Sequence, residues 1–415
     1  MSQDILAGLD IGTTKVCTVV GRAEGEGRLR VEGVGVAACH GLQKSIVVDV
    51  EETVRAVRQS VEEAQHMARA EIRAVCVGVT GEHIRCMNKH GTVTVPSGRI
   101  SEEDVARVMA STAVELPPGR VLIGEPIPRG FAVDGQSGVR RPVGMVGTRL
   151  EVETHIVTGT ASFIANVVQC VEQAGLEVAH LVLGPIATGE LIATQAEKDL
   201  GVVLIDIGGG TTDVAVFVDG SIAFSAAVPV AGNHVTRDIS IGLRTPSESA
   251  ERLKRERGAA MKRFIAADET IEVVSAGTGE RLRLPRQVLG EIIEARMVEL
   301  FSLVRAKIEE SNLYNRLAIG AILTGGGSLL TGTVECAQEV LELPTRLGRP
   351  SGLNDWTNKV DSPMFSTGVG LLYYAAHRPR RSNHTPPRPP NFTARLRSFF
   401  RRLSGGNEVK VKREA

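Results

Sequence analysis

The sequence predicts an α/β protein of two related domains, with a small α/β module inserted in the first and an amphipathic helix near the C-terminus. Three observations carry that prediction. Two stretches, ILAGLDIGTTKVCTVVGR (5–22) and VVLIDIGGGTTDVAVFVDG (202–220), share one grammar: apolar strand, Asp-Ile-Gly, Gly/Thr turn, second Val-rich strand. Strand, tight Gly turn, strand reads as a β-hairpin, and its recurrence reads as an internal duplication. Residues 83–158 break the pattern with short strands and Pro/Gly-rich turns (VELPPGR, DGQSG), the mark of an insert. Finally, NFTARLRSFFRRLSGG near the end combines four arginines and three phenylalanines without an acid.

The elements follow in order. After the first hairpin come an alternating strand near 30–38, a polar amphipathic helix near 50–69 and a strand near 73–80. Within the insert, SEED at Ser101 places an N-cap ahead of acidic first-turn residues and predicts a helix start. A helix near 161–174 and a strand near 178–183 return to the first domain. In the second half, helices are expected over 247–257 and 286–311, AIGAILTGGGSLLTG as strand–Gly turn–helix, and a last body helix near 366–377. The organisation is therefore 1–200 and 201–377 as the two domains, with an outer subdomain of the second over about 228–312. A disordered linker at 378–390 (RPRRSNHTPPRPP), a helix at 391–404 and a polar tail at 405–415 follow.

The 415 residues carry 48 basic and 48 acidic side chains, so the whole molecule is not a general nucleic-acid binder. No acid falls between Asp361 and Glu408, whereas eight arginines do, the asymmetry of an interaction tail. None of the six cysteines forms a Cys-x-x-Cys pair. They read as small hydrophobes of a reducing compartment. No N-terminal signal peptide and no span of ~18 apolar residues is expected.

Three Gly-rich turns, each after an apolar strand, form the candidate site. Glycine lets the backbone approach a ligand, and consecutive N–H groups make an anion nest. The phosphate-facing set is Gly12, Thr13, Thr14 and Lys15 with Gly208, Gly209, Gly210, Thr211 and Thr212, the threonines adding hydroxyl donors. Asp10 and Asp206 precede the glycines. Carboxylates there repel bare phosphate and make sense with Mg²⁺ between, held through waters. Gly325, Gly326 and Gly327 have no such acid and suit a nucleoside face or an α-phosphate. Glu251 and Lys254 share a helix face, where a carboxylate can meet a ribose diol and a lysine stem a purine ring.

These residues resemble the actin, sugar-kinase and chaperone-ATPase superfamily. LDIGTTK and LIDIGGGTTD look like its two phosphate motifs, ILTGGGSLLTG like its adenosine motif, and AERLKRE like the helix that supplies Glu and Lys. LGPIATGE and FSTGVGLLYYA look like its connecting helices. Within it, PVGMVGTRLEVETHIVTG, VPVAGNHVTRDI and STGVGLLYYA are similar to the FtsA family of bacterial cell-division proteins, over essentially the whole chain. The resemblance implies an actin-like two-domain ATPase fold that binds ATP and Mg²⁺, polymerises, and ties the FtsZ ring to the cytoplasmic membrane at the division septum. It further implies an FtsZ C-terminal peptide, anionic inner-membrane lipids and later division proteins as partners, and no nucleic acid. One position departs. Where filament-forming relatives carry a carboxylate that positions the attacking water, this chain has Ala165 or Asn166, neither of which acts as a base. No catalytic residue is expected, and hydrolysis should be slow or negligible.

With Phe392 as origin at 100° per residue, Leu396, Phe399 and Leu403 fall within ~40° and Phe400 at ~80°. Arg397 and Arg401 lie opposite, while Arg395 and Arg402 flank the apolar stripe, the pattern of a helix lying in a bilayer surface. Five large apolar side chains contribute at most ~10 kcal/mol and each arginine ~1 kcal/mol, less the ordering cost, so attachment is reversible and gains from many tails on one filament. For an acidic FtsZ peptide, the outer subdomain offers Arg281, Arg283, Arg286 and Arg296, with Arg286 and Arg296 as the chosen contacts. Two other readings share the motifs: a small-molecule kinase, for which the insert offers only Asp134, and a pilus-assembly ATP-binding scaffold.

Overall fold

The computed structural model of the chain describes residues 5–24, 28–350, 353–354 and 360–378. The linker beyond Arg378, the expected membrane helix with Phe392, Arg395, Leu396, Phe399, Phe400, Arg402 and Leu403, and the polar tail lie outside the described residues.

The chain opens with β1 (Ile5–Ile11), β2 (Lys15–Glu24) and β3 (Arg28–Ala38), a two-strand ribbon β4 (Leu42–Gln43) and β5 (Ile46–Val47), α1 (Val50–Ala68) and β6 (Ala74–Val79). The insert contributes β7 (Arg85–Thr94), α2 (Glu102–Ser111), β8 (Arg120–Leu122), β9 (Ile127–Val133), β10 (Gln136–Val139) and β11 (Arg149–Thr160). Then come α3 (Ala161–Gln173), β12 (Glu177–Leu183), α4 (Gly184–Ile192) and α5 (Gln195–Leu200). The second half holds β13 (Val202–Ile207), β14 (Thr212–Val218), β15 (Ser221–Val228), α6 (Gly232–Gly242), α7 (Ser247–Arg257), β16 (Thr270–Val274), β17 (Arg281–Pro285) and α8 (Arg286–Glu310). It ends with β18 (Gly320–Thr324), α9 (Thr333–Leu341), β19 (Thr345–Leu347), β20 (Leu353–Asn354) and α10 (Ser366–His377).

Two sheets repeat one arrangement. In the first, ordered β12-β6-β1-β2-β3-β20, β1 pairs antiparallel with β2 and parallel with β6. In the second, ordered β15-β14-β13-β18-β19, β13 pairs antiparallel with β14 and parallel with β18. The central strands are apolar and buried on both faces, as parallel neighbours require: Val202–Ile205 are fully buried. Against the first sheet, α1 places Val54, Val57, Val61 and Ala64 on its buried face, and Asp49 caps its N-terminus by accepting from the Glu52 N–H. Two glycines of β3 permit that contact. A Cβ on Gly33 or Gly35 would lie 2.4 Å from Ala64 O or 1.8 Å from Ser60 O. Between the sheets cross α4 and α10, rich in small residues, and a Cβ on Gly370 would lie 2.7 Å from Ala187 O. Among the described residues no helix is long and apolar enough to cross a membrane, and all six cysteines are free, five of them buried.

The insert has its own sheet, β10-β9-β11-β7 with β8 also on β11, and its own core of Val95, Ile100, Val108, Val133, Leu150 and Val152. Ser101 caps α2 in a reciprocal pair with Asp104, as its sequence predicts. Two of its strands are longer than the turn-rich sequence suggests, β11 running 12 residues and pairing with β7 from Arg149↔Thr94 to Thr158↔Arg85. The Pro/Gly turns are confined to the segments around β8 and β10.

The edge strand β7 faces the edge strand β15 of the second domain through side chains rather than a ladder. Cys86 Sγ meets Ser225 O at 3.0 Å and Ser225 N at 3.4 Å, and Asn88 Nδ2 donates to Ala223 O at 3.0 Å. That bond turns Asn88 Oδ1 toward His155 Nδ1, 2.8 Å away, so Nδ1 carries the proton and Nε2 accepts from Ser225 Oγ at 3.2 Å. Burial, with Arg129 adding to it, pushes the His155 imidazole down to about 4. The folded state therefore holds it neutral, and its stabilisation is complete above pH ~6.5 and lost as pH falls from there toward 4. His83 behaves alike, pushed down to about 4 by burial and then Arg120. Between pH 7 and pH 5, His155→Gln should change the pH dependence of Tm by about one proton's worth of linkage, the variant faring better at pH 5 relative to pH 7 than the unaltered chain. An unchanged pH slope would contradict the neutral imidazole.

Candidate functional site

Both repeated hairpins close in the same way. Four residues, Gly12–Lys15, connect the pair Ile11↔Val16, with Gly12 N–H donating to Lys15 O at 2.9 Å. Gly208–Thr211 connect Ile207↔Thr212, with Gly208 N–H donating to Thr211 O at 3.0 Å. Asp10 and Asp206 thus hold equivalent places. The register corrects one expectation: Thr212 is not a turn residue but the first of β14. It is fully buried, and its hydroxyl donates to Val230 O at 2.7 Å rather than facing the cleft.

The turns abut across the domain interface. A Cβ on Gly209 would lie 2.5 Å from Thr14 Cγ2, and one on Gly210 would lie 2.5 Å from Thr13 Oγ1. The third turn leans on the second: Gly325, at φ 81°, leaves no room for a side chain, since a Cβ there would lie 2.2 Å from Asp206 Oδ1. Gly327 packs on Ile207, while Gly326 faces open space. From the other side, α6 starts on the second turn, with Gly232 N–H on Gly208 O at 3.1 Å and Asn233 N–H on Gly209 O at 2.8 Å. Lys254 Nζ bonds to Gly232 O at 3.1 Å, Thr236 Oγ1 at 2.8 Å and Glu251 Oε2 at 2.6 Å. Although burial opposes it, the Lys254 and Thr236 hydrogen bonds hold Glu251 below its ordinary value. Through the start of α6, Glu251 and Lys254 are therefore tied to the second Gly turn.

Lys15 does not project from its turn. Its ammonium donates to Met364 O and sits 4.9 Å from the Phe365 ring centroid. Asp10 is pushed up to about 6, first by burial, with Lys15 opposing and Asp206 adding. Asp206 is raised by burial, against the hydrogen bond from Thr367 Oγ1 at 2.7 Å and the charge of Lys15. A third acid, Asp213, was not in the sequence-based set. Burial and then Asp206 push it up to about 8, although Thr211 and the Gly81 backbone bond to it. Its signal was present as the Asp of GGGTTD, two residues past the turn on the cleft-facing parity of β14. Thr367 and Ser45, whose Oγ lies 3.1 Å from Thr211 Oγ1, had no such local signal. Among the described residues no three acidic, His or Cys groups stand close enough to grip a metal directly. An all-oxygen set of buried, under-compensated carboxylates nonetheless fits a hard divalent cation held through its waters.

Other candidates lie elsewhere. Arg286 Nη1 pairs with Glu269 at 2.6 Å and its Nε donates to Arg257 O at 2.7 Å. Arg296 grips Asp238 with Nε at 2.5 Å and Nη2 at 3.0 Å, and also meets Glu299. Both already hold carboxylates, so an acidic partner must compete with an existing pair. Arg281 is 77% exposed and also pairs with a carboxylate, Glu272, at 3.5 Å. Asp134 is a turn residue, accepting from the N–H groups of Thr148 at 3.0 Å and Arg149 at 2.8 Å. That role leaves it no part as a kinase base. On α3, Ala165 is buried and Asn166 half-buried, so neither brings a carboxylate to the cleft.

Comparison with known proteins adds the family. A profile described as "Cell division protein FtsA" matches residues 203–370, and one described as "SHS2 domain inserted in FTSA" matches residues 81–158. The chain is 41% identical over 378 residues to the cell-division protein FtsA of Pseudomonas aeruginosa, covering 91% of this chain and 90% of that protein. Against FtsA of Escherichia coli K12 the identity is 34% over 411 residues, with 97% of each covered, and against that of Bacillus subtilis 37% over 381 residues, with 91% and 85% covered. Among solved structures, the PilM-PilN type IV pilus biogenesis complex superposes with TM-score 0.63 at 17% identity over 90% of this chain and 99% of that one. MreB5 of Spiroplasma citri bound to ADP superposes with TM-score 0.52 at 16% identity over 88% and 94%. These structural likenesses mark an actin-like fold, and the sequence relatives go further: the chain belongs to the FtsA family of bacterial cell-division proteins.

Proposed function

We propose that the chain holds ATP with Mg²⁺ in the cleft between its domains and serves as the membrane tether of the FtsZ ring. The observation that carries the nucleotide reading is the pair of identically closed Gly turns meeting over Asp10 and Asp206. Gly12, Thr13 and Thr14 face Gly208, Gly209, Gly210 and Thr211 around the phosphates. Gly325–Gly327 and the Glu251–Lys254 pair take the nucleoside end. Asp10 and Asp206 hold Mg²⁺ through waters, and the cation supplies charge neutralisation of the phosphates. Lys15 acts through its charge on the acids. With no carboxylate from Ala165 or Asn166 to activate water, the nucleotide sets conformation and assembly more than it is consumed. Fluorescent-nucleotide titration should show ATP binding that EDTA weakens at least about tenfold, the loss of one charge-assisted interaction or more. Phosphate release of several per second would overturn the slow-turnover reading.

The tail supports the second half of the proposal. Its apolar stripe and flanking arginines attach the chain to anionic lipid on the cytoplasmic face, and the Pro/Arg linker of roughly fifteen residues reaches on the order of 45 Å. Self-association into filaments multiplies weak tails into firm attachment, and the same filament presents the outer subdomain to FtsZ and to later division proteins at the septum. In flotation with anionic vesicles the full chain should float and a version ending at His377 should stay behind, with ATP binding intact. Equal flotation would remove the tail from this role. Arg286→Glu should weaken an FtsZ C-terminal peptide about tenfold if that guanidinium exchanges Glu269 for the peptide, and unchanged affinity would strike it from the interface.

A further inference from the structure

Between the two Gly turns lies an element without a role so far. The ribbon β4–β5 pairs Leu42↔Val47 and Gln43↔Ile46, so Lys44 and Ser45 alone make its turn. Both have positive φ, 48° and 64°. That is the type I′ pattern, which favours Asn-Gly, and here two ordinary side chains hold it. Left-handed backbone at non-glycine residues persists where its surroundings fix it, and such positions cluster at functional sites. The surroundings are specific. Ser45 N–H donates to Thr13 Oγ1 of the first turn at 3.2 Å, and Ser45 Oγ lies 3.1 Å from Thr211 Oγ1 of the second. Thr80 Oγ1, at the end of β6, donates to Ser45 Oγ at 3.1 Å. Lys44 Cα comes within 3.1 Å of the place a Gly210 Cβ would occupy.

The charge at this position is unspent. Lys44 is exposed and makes no ion pair among the described residues. It reaches toward the start of α6: burial first, then Arg296 and Lys44, push the His234 imidazole below its ordinary value. The backbone of this lysine therefore lies beside both turns, its Cα against Gly210 and its neighbour Ser45 against Thr13 and Thr211, with its charge unpaired among the described residues. The third turn and Glu251–Lys254, the nucleoside end, meet the second turn elsewhere, at Asp206, Ile207 and the carbonyls of Gly208 and Gly209.

We propose that the Lys44–Ser45 turn is a terminal-phosphate reader: Ser45 fixes the turn across the two phosphate loops, and Lys44 Nζ contacts the γ-phosphate of a bound nucleoside triphosphate. This rests on the nucleotide reading above. Lys44 distinguishes the triphosphate from the diphosphate because its partner oxygen exists only in the former, and Ser45 positions it without touching the ligand. The test measures binding of MgATP and MgADP to the full chain and to Lys44→Ala and Lys44→Arg. The expected result is a loss of about tenfold for MgATP in Lys44→Ala, a change under about threefold for MgADP, and near-complete retention in Lys44→Arg. Equal losses for the two nucleotides, or MgATP affinity within about twofold of the unaltered chain, would overturn the assignment while leaving the nucleotide site standing. Failure of the unaltered chain to bind either nucleotide would overturn both readings.

Discussion

A carboxylate taken out of water at the meeting point of two domains governs this molecule. Asp206 ends the central strand of the second sheet, receives the Thr367 hydroxyl from α10 at 2.7 Å, and allows nothing larger than hydrogen at Gly325. Removing such a group from water is costly unless opposite charge or donors surround it. Here Asp10 and Asp213 increase the cost, and the nearest ammonium, Lys15, is also bound to Met364 O. The interface is thus electrostatically unfinished, which is why a cation with phosphates suits it. It also explains why so many hydroxyls (Thr13, Ser45, Thr80, Thr211, Thr367) gather around one point: each is a small dipole that can turn to serve either protonation state.

The fold was legible to the extent that it is local. The repeated Asp-Ile-Gly frame fixed both hairpins because strand, turn and strand are contiguous, and the Ser101 cap and the long α8 follow from short-range chemistry. The insert's length was readable from composition, but its long paired strands were not, because β7 and β11 find each other across more than fifty residues. Within the site the limit was sharper. Thr211 and Thr212 are indistinguishable in sequence, and only the closing bond Gly208 N–H to Thr211 O decides that one belongs to the turn and the other to the buried strand. Ser45, Thr80 and Thr367 come from three separate segments and meet only after folding. Arg286 and Arg296 looked available because sequence does not reveal that Glu269 and Asp238 already hold them.

The two connecting helices show how small residues act as joints. Gly184–Gly189 of α4 are wholly buried, and α10 carries Gly368 and Gly370 where a side chain would strike Cys17, Val19 or the Ala187 carbonyl. The same two helices meet through Thr188, whose hydroxyl donates to Thr367 at 3.3 Å, and Thr367 in turn donates to Asp206 at 2.7 Å, so their crossing is tied to the buried carboxylate by two hydrogen bonds.

The seat of the insert on β15 has a consequence for how the molecule avoids trouble. An open sheet edge is a template on which any extended chain can add a strand. Here the side chains of Cys86, Asn88 and His155 occupy the backbone and hydroxyl groups of Ala223 and Ser225 that such a strand would need. The insert is thus a built-in stopper: without it the β15 edge would be open to strand addition.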